Sequence, residues 1–357
     1  MYVNYYTTIM KKYLLLVSLL FSLFALSQEQ IETIDDIQLE QIKPNQIKKY
    51  WLKMIDNGLA QPVYIPIIVA RGTVEKPVLG LAAAIHGNEV NGVAVIQRVL
   101  ADITIDSLQG TIIAIPGLNG ISLPLHQRRY IDNEDLNRNF PGKENGNRTQ
   151  QYVWNIKTKI LSKLDYLIDM HTASFGRENS LYVRAALEDP EIKKMATLQD
   201  ADIILKNKGV PSATKQATTT RTMRAEAMLM GIPTITLEYG NPQVFQPEMI
   251  ERGKLGVTNI MSWLRMIPQK QSIVSAPIYC KKSYWIYLDQ GGYLELTVAL
   301  NQIVEAQELI AILRNPFGDI IKKYYAPEKG IVIGKTSNPI NMSGGRIIHL
   351  GIIENNN

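Results

Sequence analysis

The sequence contains very little cysteine and histidine, two residue types that often bind transition metals. A single cysteine, Cys280, excludes an intrachain disulfide and argues against a cysteine-based metal site. Any bound metal must therefore be held by histidine, aspartate and glutamate. Only four histidines are available for this: His86, His126, His171 and His349.

The chain also lacks a long block of basic residues. Lys and Arg number 38 against 33 Asp and Glu, which gives a formal net charge of +5 and a pI near 9.0. Scattered basic residues do not make the continuous positive surface that nucleic-acid binding requires, so we expect no nucleic-acid partner. A mildly basic protein does suit a small anionic substrate.

Beyond the N-terminus, no apolar run reaches the ~20 residues that a membrane-spanning helix needs. The N-terminus itself has the layout of a secretory signal peptide, because Lys11 and Lys12 precede a charge-free apolar run that ends at Ser27. The preceding residues fit no part of this layout, which favours Met10 as the true start. We predict a signal peptide in residues 1–27 and export to the periplasm or the medium, with no stable membrane span after cleavage. An uncleaved membrane anchor is the alternative.

The remaining chain, at about 150 residues per domain, is long enough for two domains. Residues 28–60 are polar and are predicted to form a helical lead-in. Between residues 61 and 268, apolar strand patterns alternate with helical ones, which predicts an α/β fold with a mainly parallel mixed sheet covered by helices. Residues 269–357 hold short β patterns separated by Gly and Pro, typical of a small all-β, barrel-like domain.

Three polar residues stand at the ends of predicted buried strands: His86 in "AAIHGNE", His171 in "LIDMHTA" and Glu238 in "TITLEYG". Sites in open α/β sheets gather at the carboxyl ends of strands, so these side chains are expected to converge. Glu89 lies only three residues beyond His86. Two histidines and one carboxylate leave an open position on zinc, which is the catalytic arrangement. Glu238 is then free to act as general base for a zinc-activated water.

The segment "QRRYIDNEDLNRNFPG" crowds Arg128, Arg129, Asn137 and Arg138 into one turn-rich stretch. A guanidinium group binds a carboxylate through two parallel hydrogen bonds. A solvated basic loop is the simpler interpretation. The interleaved acids and the stiff "NFPG" turn favour a loop that holds its side chains in place.

Over about residues 60–265, the sequence resembles the succinylglutamate desuccinylase/aspartoacylase family, a branch of the zinc carboxypeptidase-like fold. The resemblance rests on "HGNE", "RYIDNEDLNRNFPG", "DMHTA" and "LEYG", which occur in the family's order and approximate spacing. It implies that one zinc ion is held by His86, Glu89 and His171, and that Glu238 is the general base and proton shuttle.

The same resemblance implies roles for the surrounding residues. Asp135 would accept a hydrogen bond from the His86 ring, and Arg129 would stabilise the oxyanion of the tetrahedral intermediate. Asn137 and Arg138 would clamp a substrate carboxylate. Arg224 would meet a second anionic group, with Arg221 as a close competitor for that role.

The C-terminal part resembles the small β domain of the same family, which is similar to biotinyl and lipoyl carriers. Its hairpin tip, "LNQIVEAQ", has no carrier-type lysine, so a covering or oligomerising domain is expected and a homo-oligomer is allowed. Cys280 and His349 are assigned to its structure. His126 is expected to be a loop residue beside the arginine cluster.

These features together predict a zinc-dependent hydrolase that cleaves the amide bond of an N-acyl amino acid or a similar small acidic substrate. Desuccinylation of succinylglutamate is an intracellular step, whereas this chain carries a predicted export signal, so the family's named substrates do not transfer directly. One alternative is an exported zinc carboxypeptidase that acts on peptides. Another is a binding protein that kept the fold and lost turnover.

Overall fold

The computed structural model describes residues 31–209 and 220–354. The chain divides into two units, residues 1–33 and residues 34–357. The predicted signal peptide and the start at Met10 lie outside the described residues. The described part of the first unit is residues 31–33, and strand β1 (Glu32–Ile34) begins there. Among the described residues, no helix is long and apolar enough to cross a membrane.

The remaining strands of the described residues are, in chain order, β2 (Gln46–Asp56), β3 (Pro62–Arg71), β4 (Val78–Ala83), β5 (Thr111–Ile115), β6 (Tyr166–His171), β7 (Arg177–Asn179), β8 (Leu181–Ala185), β9 (Ile203–Lys206), β10 (Thr234–Tyr239), β11 (Ile278–Tyr287), β12 (Gly292–Leu296), β13 (Ile303–Val304), β14 (Leu309–Arg314), β15 (Ile320–Tyr325), β16 (Gly330–Thr336), β17 (Ile340–Asn341) and β18 (Arg346–Ile353). The α-helices are α1 (Asn91–Ala101), α2 (Arg148–Asn155), α3 (Pro190–Thr197), α4 (Met223–Leu229) and α5 (Pro247–Trp263). Helix α2 continues into a π-helical turn (Ile156–Ile160) and a 3-10 turn (Leu161–Lys163), and further 3-10 turns are Leu39–Gln41, Ile105–Ser107 and Leu136–Arg138.

A large mixed sheet is the framework of the protein, in the order β2-β3-β5-β4-β6-β10-β8-β9-β11-β18-β16-β13. Its centre is parallel, since β4 pairs in parallel with β5 and β6, and β6 pairs in parallel with β10. Every residue of β4 is buried. Leu79, Leu81 and Ala83 join one hydrophobic core with α1 and α5, whereas Val78 and Ala82 join a second core. The sheet is therefore covered on both faces, which confirms the predicted α/β fold class.

The predicted helical lead-in at residues 28–60 is wrong. Residues 46–56 form strand β2, which pairs antiparallel with β3 along its length and buries Leu52 and Met54 on alternate positions. The local polar composition favoured a helix, but the hydrogen bonds and the apolar face that β3 offers determine the outcome.

The C-terminal β region, which comprises residues 278–353, continues the large sheet. Strand β11 pairs in parallel with β9 and antiparallel with β18. A second sheet, in the order β15-β14-β12-β17, packs through a separate core that includes Val304, Ile310 and Leu350. The antiparallel C-terminal region agrees with the expected all-β part, while a domain boundary between residues 268 and 269 stays a prediction.

Candidate active site

His86 and Glu89 lie in the short turn between strand β4 and helix α1. Ala84, directly after β4, has a left-handed backbone (φ +58°), an unusual conformation for alanine that often accompanies functional sites. A side chain at Gly87 would overlap the backbone of Ser122, so glycine is required for the close approach of the two loops. The turn is thus tightly fixed, and both side chains are buried.

His171 and Glu238 end two neighbouring strands at the same edge of the sheet. Strand β6 ends at His171, and the parallel pairing of β6 with β10 sets Glu238 directly beside it in register. Ligand atoms of His86, Glu89 and His171 all lie within 4.8 Å of one another. The expected convergence at the carboxyl ends of the strands is therefore present in the structure.

Within this cluster, each histidine presents its Nδ1 atom to a different oxygen of Glu89. His86 Nδ1 lies 3.0 Å from Oε1, and His171 Nδ1 lies 2.8 Å from Oε2. Burial alone would raise the pKa of the Glu89 carboxyl, but His86 and His171 lower it well below its ordinary value. Glu89 is thus an ionised carboxylate in a buried site, which is a strong cation ligand.

The Nε2 atoms of both histidines, on the side of each ring away from Glu89, contact carboxylates. His86 Nε2 lies 3.0 Å from Asp135 Oδ1, as the resemblance implied, and His171 Nε2 lies 2.9 Å from Asp169 Oδ1. Such contacts fix the tautomer and leave Nδ1 free to bind a metal. Burial lowers the pKa of His171, but Asp169 and Glu89 outweigh it and raise that pKa. Asp169 was missed from the sequence, although "DMH" places it two residues before His171 on the same strand face.

Arg128, not Arg129, faces the ligand cluster. Arg128 Nη1 donates to Glu89 Oε1 at 2.7 Å, and its Nη2 donates to Asp135 Oδ2 at 3.1 Å. Arg129 is exposed and donates to the backbone oxygen of Asn133 at the surface. The expected position of Arg129 beside the site is therefore corrected to Arg128, because Arg129 faces solvent while Arg128 and Tyr130 face inward.

A cavity of about 360 Å³ opens above the cluster, a volume in the range of small-molecule sites. Glu238 lines this cavity together with the three ligand candidates. One oxygen of Glu238 accepts a hydrogen bond from Asn179 Nδ2 at 3.3 Å, and the other lies 3.5 Å from Arg184 Nε. The candidate base and the candidate metal ligands thus line the same cavity.

The predicted anion-binding residues Asn137, Arg138 and Arg224 also line the cavity. Arg224 is buried and donates to the backbone oxygen and side chain of Asn207. Burial and the nearby Arg184 lower the pKa of Arg224 to about 10. Its competitor Arg221 instead binds Glu226 at 2.6 Å and does not line the cavity.

A family model for the succinylglutamate desuccinylase/aspartoacylase catalytic domain matches residues 75–264. The match spans more than half of the chain and contains every residue of the cluster. The chain belongs to the succinylglutamate desuccinylase/aspartoacylase family. The resemblance seen in four short motifs is therefore confirmed.

Among the desuccinylase/aspartoacylase relatives, one similar protein is the N-alpha-acetyl-L-2,4-diaminobutyric acid deacetylase of Halomonas elongata. It is 27% identical over 264 residues, which cover 70% of this chain and 73% of the relative.

Two solved structures share the fold. The product-bound ectoine utilization protein EutE (DoeB) of Ruegeria pomeroyi has a TM-score of 0.76 at 18% identity, covering 87% of this chain and 97% of its own. A succinylglutamate desuccinylase of Silicibacter sp. has the same TM-score at 20% identity, covering 88% of this chain and 98% of its own. Both alignments cover more of the chain than residues 75–264, so the structural match includes residues outside the catalytic segment.

The C-terminal β region supplies one wall of the cavity, through Trp285 and His349. The two rings are stacked, with centroids 5.1 Å apart and planes 12° from parallel. Burial, with Arg184, Arg177 and Arg346 nearby, lowers the pKa of His349 well below its ordinary value. His349 Nε2 lies 2.8 Å from Ser283 Oγ. This histidine, which the sequence analysis assigned to structure, is buried as expected, and it also lines the cavity.

The other two residues assigned away from the chemistry lie apart from the cavity. Cys280 is buried, and its burial raises the pKa of the thiol to about 12. His126 is exposed in a loop.

The donor set fits zinc. Two imidazole Nδ1 atoms and one carboxylate are the ligand types of catalytic zinc sites, and all three residues are buried. Carboxylates at both Nε2 atoms complete the arrangement. His86, Glu89 and His171 could therefore hold one metal ion, with Arg128 and Glu238 at the cavity beside it.

Proposed function

We propose that this protein is a zinc-dependent deacylase that hydrolyses the amide bond of an N-acyl amino acid with acidic character. The observation that carries the proposal is the meeting of the His86–Glu89–His171 cluster and Glu238 in one arginine-rich cavity. Membership of a family named for a desuccinylase and an aspartoacylase supports the same class of reaction.

Zinc held by the three ligands would supply the Lewis acidity that activates a water molecule and polarises the acyl carbonyl. Glu238 would accept the proton of the attacking water and deliver it to the departing amine. Arg128 would donate hydrogen bonds to the oxyanion that forms on the acyl carbon, the role that the sequence had suggested for Arg129.

The charge of the cavity supports an anionic substrate. Its lining holds five arginines: Arg128, Arg138, Arg177, Arg184 and Arg224. The acids that line it have partners within the site: Glu89 with both histidines, Asp169 with His171, and Glu238 with Asn179 and Arg184. Arg224 pairs with no carboxylate in the described residues, so it is available to a substrate anion, as are Asn137 and Arg138.

The expected site of action is outside the cytoplasm, which rests on the signal-like N-terminal sequence alone. An exported enzyme would meet acyl amino acids or peptide fragments in the periplasm or the medium. We also propose that the C-terminal β region serves as a covering or oligomerising element, so that a homo-oligomer is allowed.

The deciding experiment measures free-amine release by the protein from residue 28 onward, with one equivalent of zinc and with excess chelator. The panel contains N-acetyl and N-succinyl derivatives of aspartate, glutamate and 2,4-diaminobutyrate, together with short peptides. Chelator-sensitive release from acyl amino acids supports the deacylase. Release from peptides alone would replace it with the carboxypeptidase, and zinc binding without any release would favour the binding protein.

A further inference from the structure

Glu238 is oriented by side chains on two strands that precede it in the chain. Asn179, at the end of β7, donates to Oε2, while Arg184 on β8 lies beside Oε1. The pairing of β10 with β6 and β8 fixes only the Glu238 backbone. The two side-chain contacts therefore set the direction in which the carboxylate points.

Asn179 is itself held by the C-terminal β region. Strand β7 pairs antiparallel with β16, and the register places Asn179 opposite Gly334. A Cβ atom at position 334 would lie only 2.5 Å from Asn179 Oδ1. The absence of a side chain at Gly334 thus lets the Asn179 amide rest against β16 with its nitrogen directed at Glu238.

Arg184 is held from the same side of the cavity. Its Nη2 donates to the hydroxyl of Tyr182 at 2.6 Å. The rings of Tyr182 and His349, a residue of β18, lie edge-on to each other, with centroids 6.2 Å apart and planes at 68°. Asn179 therefore lies directly against β16, whereas Arg184 is linked to β18 through Tyr182.

We propose that the C-terminal β region positions the general base, with Gly334 and Asn179 as positioning residues for Glu238. This inference rests on the proposed deacylase function. A general base must lie within hydrogen-bond reach of the water whose proton it takes. An error of about 1 Å in its position can cost about 100-fold in rate.

The test uses the zinc-loaded protein and the acyl amino acid that it hydrolyses fastest. Asn179→Ala is expected to lower kcat by about 10-fold to 100-fold while KM changes by less than about twofold, since the proposed substrate contacts of Asn137, Arg138 and Arg224 are unchanged. Gly334→Ala, which touches no substrate, is expected to lower kcat in the same way. Asn179→Ser, which keeps a hydrogen-bond donor, should recover part of the loss.

A double variant at Glu238 and Asn179 provides the most direct test. In a Glu238→Gln background, Asn179→Ala should change the residual kcat by less than about twofold, because residues that act through one group are not additive. A full repetition of the loss in that background would overturn the proposal and make Asn179 a structural residue.

Two matched variants control for lost stability. Asn259→Ala removes a buried asparagine on α5 that donates to the backbone oxygens of Leu198 and Ser272. Gly256→Ala introduces a methyl group against the side-chain amide of Gln199, on helix α5 and outside the C-terminal β region. Both are expected to lower the free energy of unfolding with wild-type kcat.

The outcomes separate the proposed function from the positioning role. If the wild-type protein releases no amine from any compound, the proposed function fails. If the wild type is active and both Asn179→Ala and Gly334→Ala retain its kcat, the positioning role fails while the deacylase stands. Should Asn179→Ala not fold, Gly334→Ala and Asn179→Ser still decide the question.

Discussion

Asp169 and His171 are separated by one residue on strand β6, and Asp169 Oδ1 lies 2.9 Å from His171 Nε2. Because side chains two apart on a strand share a face, the strand itself aligns the carboxylate behind the imidazole. Asp169 Oδ2 also accepts a hydrogen bond from Thr236 on β10 at 3.1 Å. The carboxylate is thus fixed from two strands, and it holds the ring with Nδ1 toward Glu89.

Asp169→Asn is expected to weaken zinc binding by about 10-fold to 100-fold, since the ring loses the partner that sets its tautomer and basicity. The measurement is a zinc titration against a competing chromophoric chelator. Asp165→Asn is the matched control, because Asp165 lies just before the same strand and pairs with Lys76 at 2.8 Å. Equal affinities for wild type and Asp169→Asn would remove Asp169 from the metal site.

His86→Ala is expected to abolish stoichiometric zinc binding, because two ligands in a buried site cannot hold the ion as three do. Metal content after dialysis, measured by elemental analysis, checks this. His126→Ala, which alters an exposed loop histidine, should retain about one zinc per chain. Full zinc occupancy in His86→Ala would contradict the ligand set.

Glu238→Gln should retain zinc and lose turnover by about 100-fold to 10,000-fold, because the amide cannot accept the proton of the attacking water. Glutamine keeps the size of the side chain but loses the negative charge that faces Arg184, so a lower free energy of unfolding is expected with zinc still bound. Amine release and metal content are measured on the same preparation. Normal turnover in this variant would defeat the assignment of Glu238 as the base.

The local sequence pattern was sufficient to predict the centre of the sheet and the residues of the candidate metal site. Strand β4 is a continuous apolar run and β6 and β10 are almost fully buried, and a parallel covered sheet brings the ends that lead to His86, His171 and Glu238 to one edge. These residues could be placed from the sequence because the period of the pattern and the fold class determine their position.

The rest of the site depends on pairings between distant segments. The sequence pattern predicted no element over residues 177–206, where strands β7 and β8 carry Asn179 and Arg184. Trp285 reaches the cavity because β11 joins the large sheet between β9 and β18. Such pairings produce no periodic pattern of apolar residues in the local sequence. For the same reason, strand β2 was not predicted.

Arg128 and Arg129 give a direct test of the corrected assignment. Arg128→Gln is expected to lower kcat by about 100-fold to 1,000-fold, the usual cost of losing one donor to an oxyanion. Arg129→Gln should remain within about twofold of wild type, because this side chain is exposed and donates to the backbone oxygen of Asn133. The pair is its own control, since the two changes remove the same charge from adjacent positions. The reverse order of activities would restore the assignment made from the sequence.

His349 should make the protein less stable in mild acid. Its side chain is 4% exposed, and burial with Arg184, Arg177 and Arg346 nearby lowers its pKa in the folded state. In the unfolded chain this histidine has an ordinary pKa of about 6.5. Below that pH, the unfolded chain therefore binds a proton that the folded chain does not bind. The stabilising contribution is complete above about pH 6.5 and is lost as the pH falls below it, by up to about 1.4 kcal/mol per pH unit.

Urea unfolding between about pH 5 and pH 7.5 measures this dependence, with the unfolded-state pKa of about 6.5 inside the window. His349→Phe keeps a flat ring against Trp285 but cannot titrate, so its free energy of unfolding should fall less steeply below pH 6.5 than that of the wild type. His126→Phe, at an exposed position, should leave the slope unchanged. Because the metal ligands titrate equally in all three proteins, only the difference in slope reports His349. Parallel curves for wild type and His349→Phe would show that the buried ring accepts its proton as readily in the folded protein as in the unfolded chain.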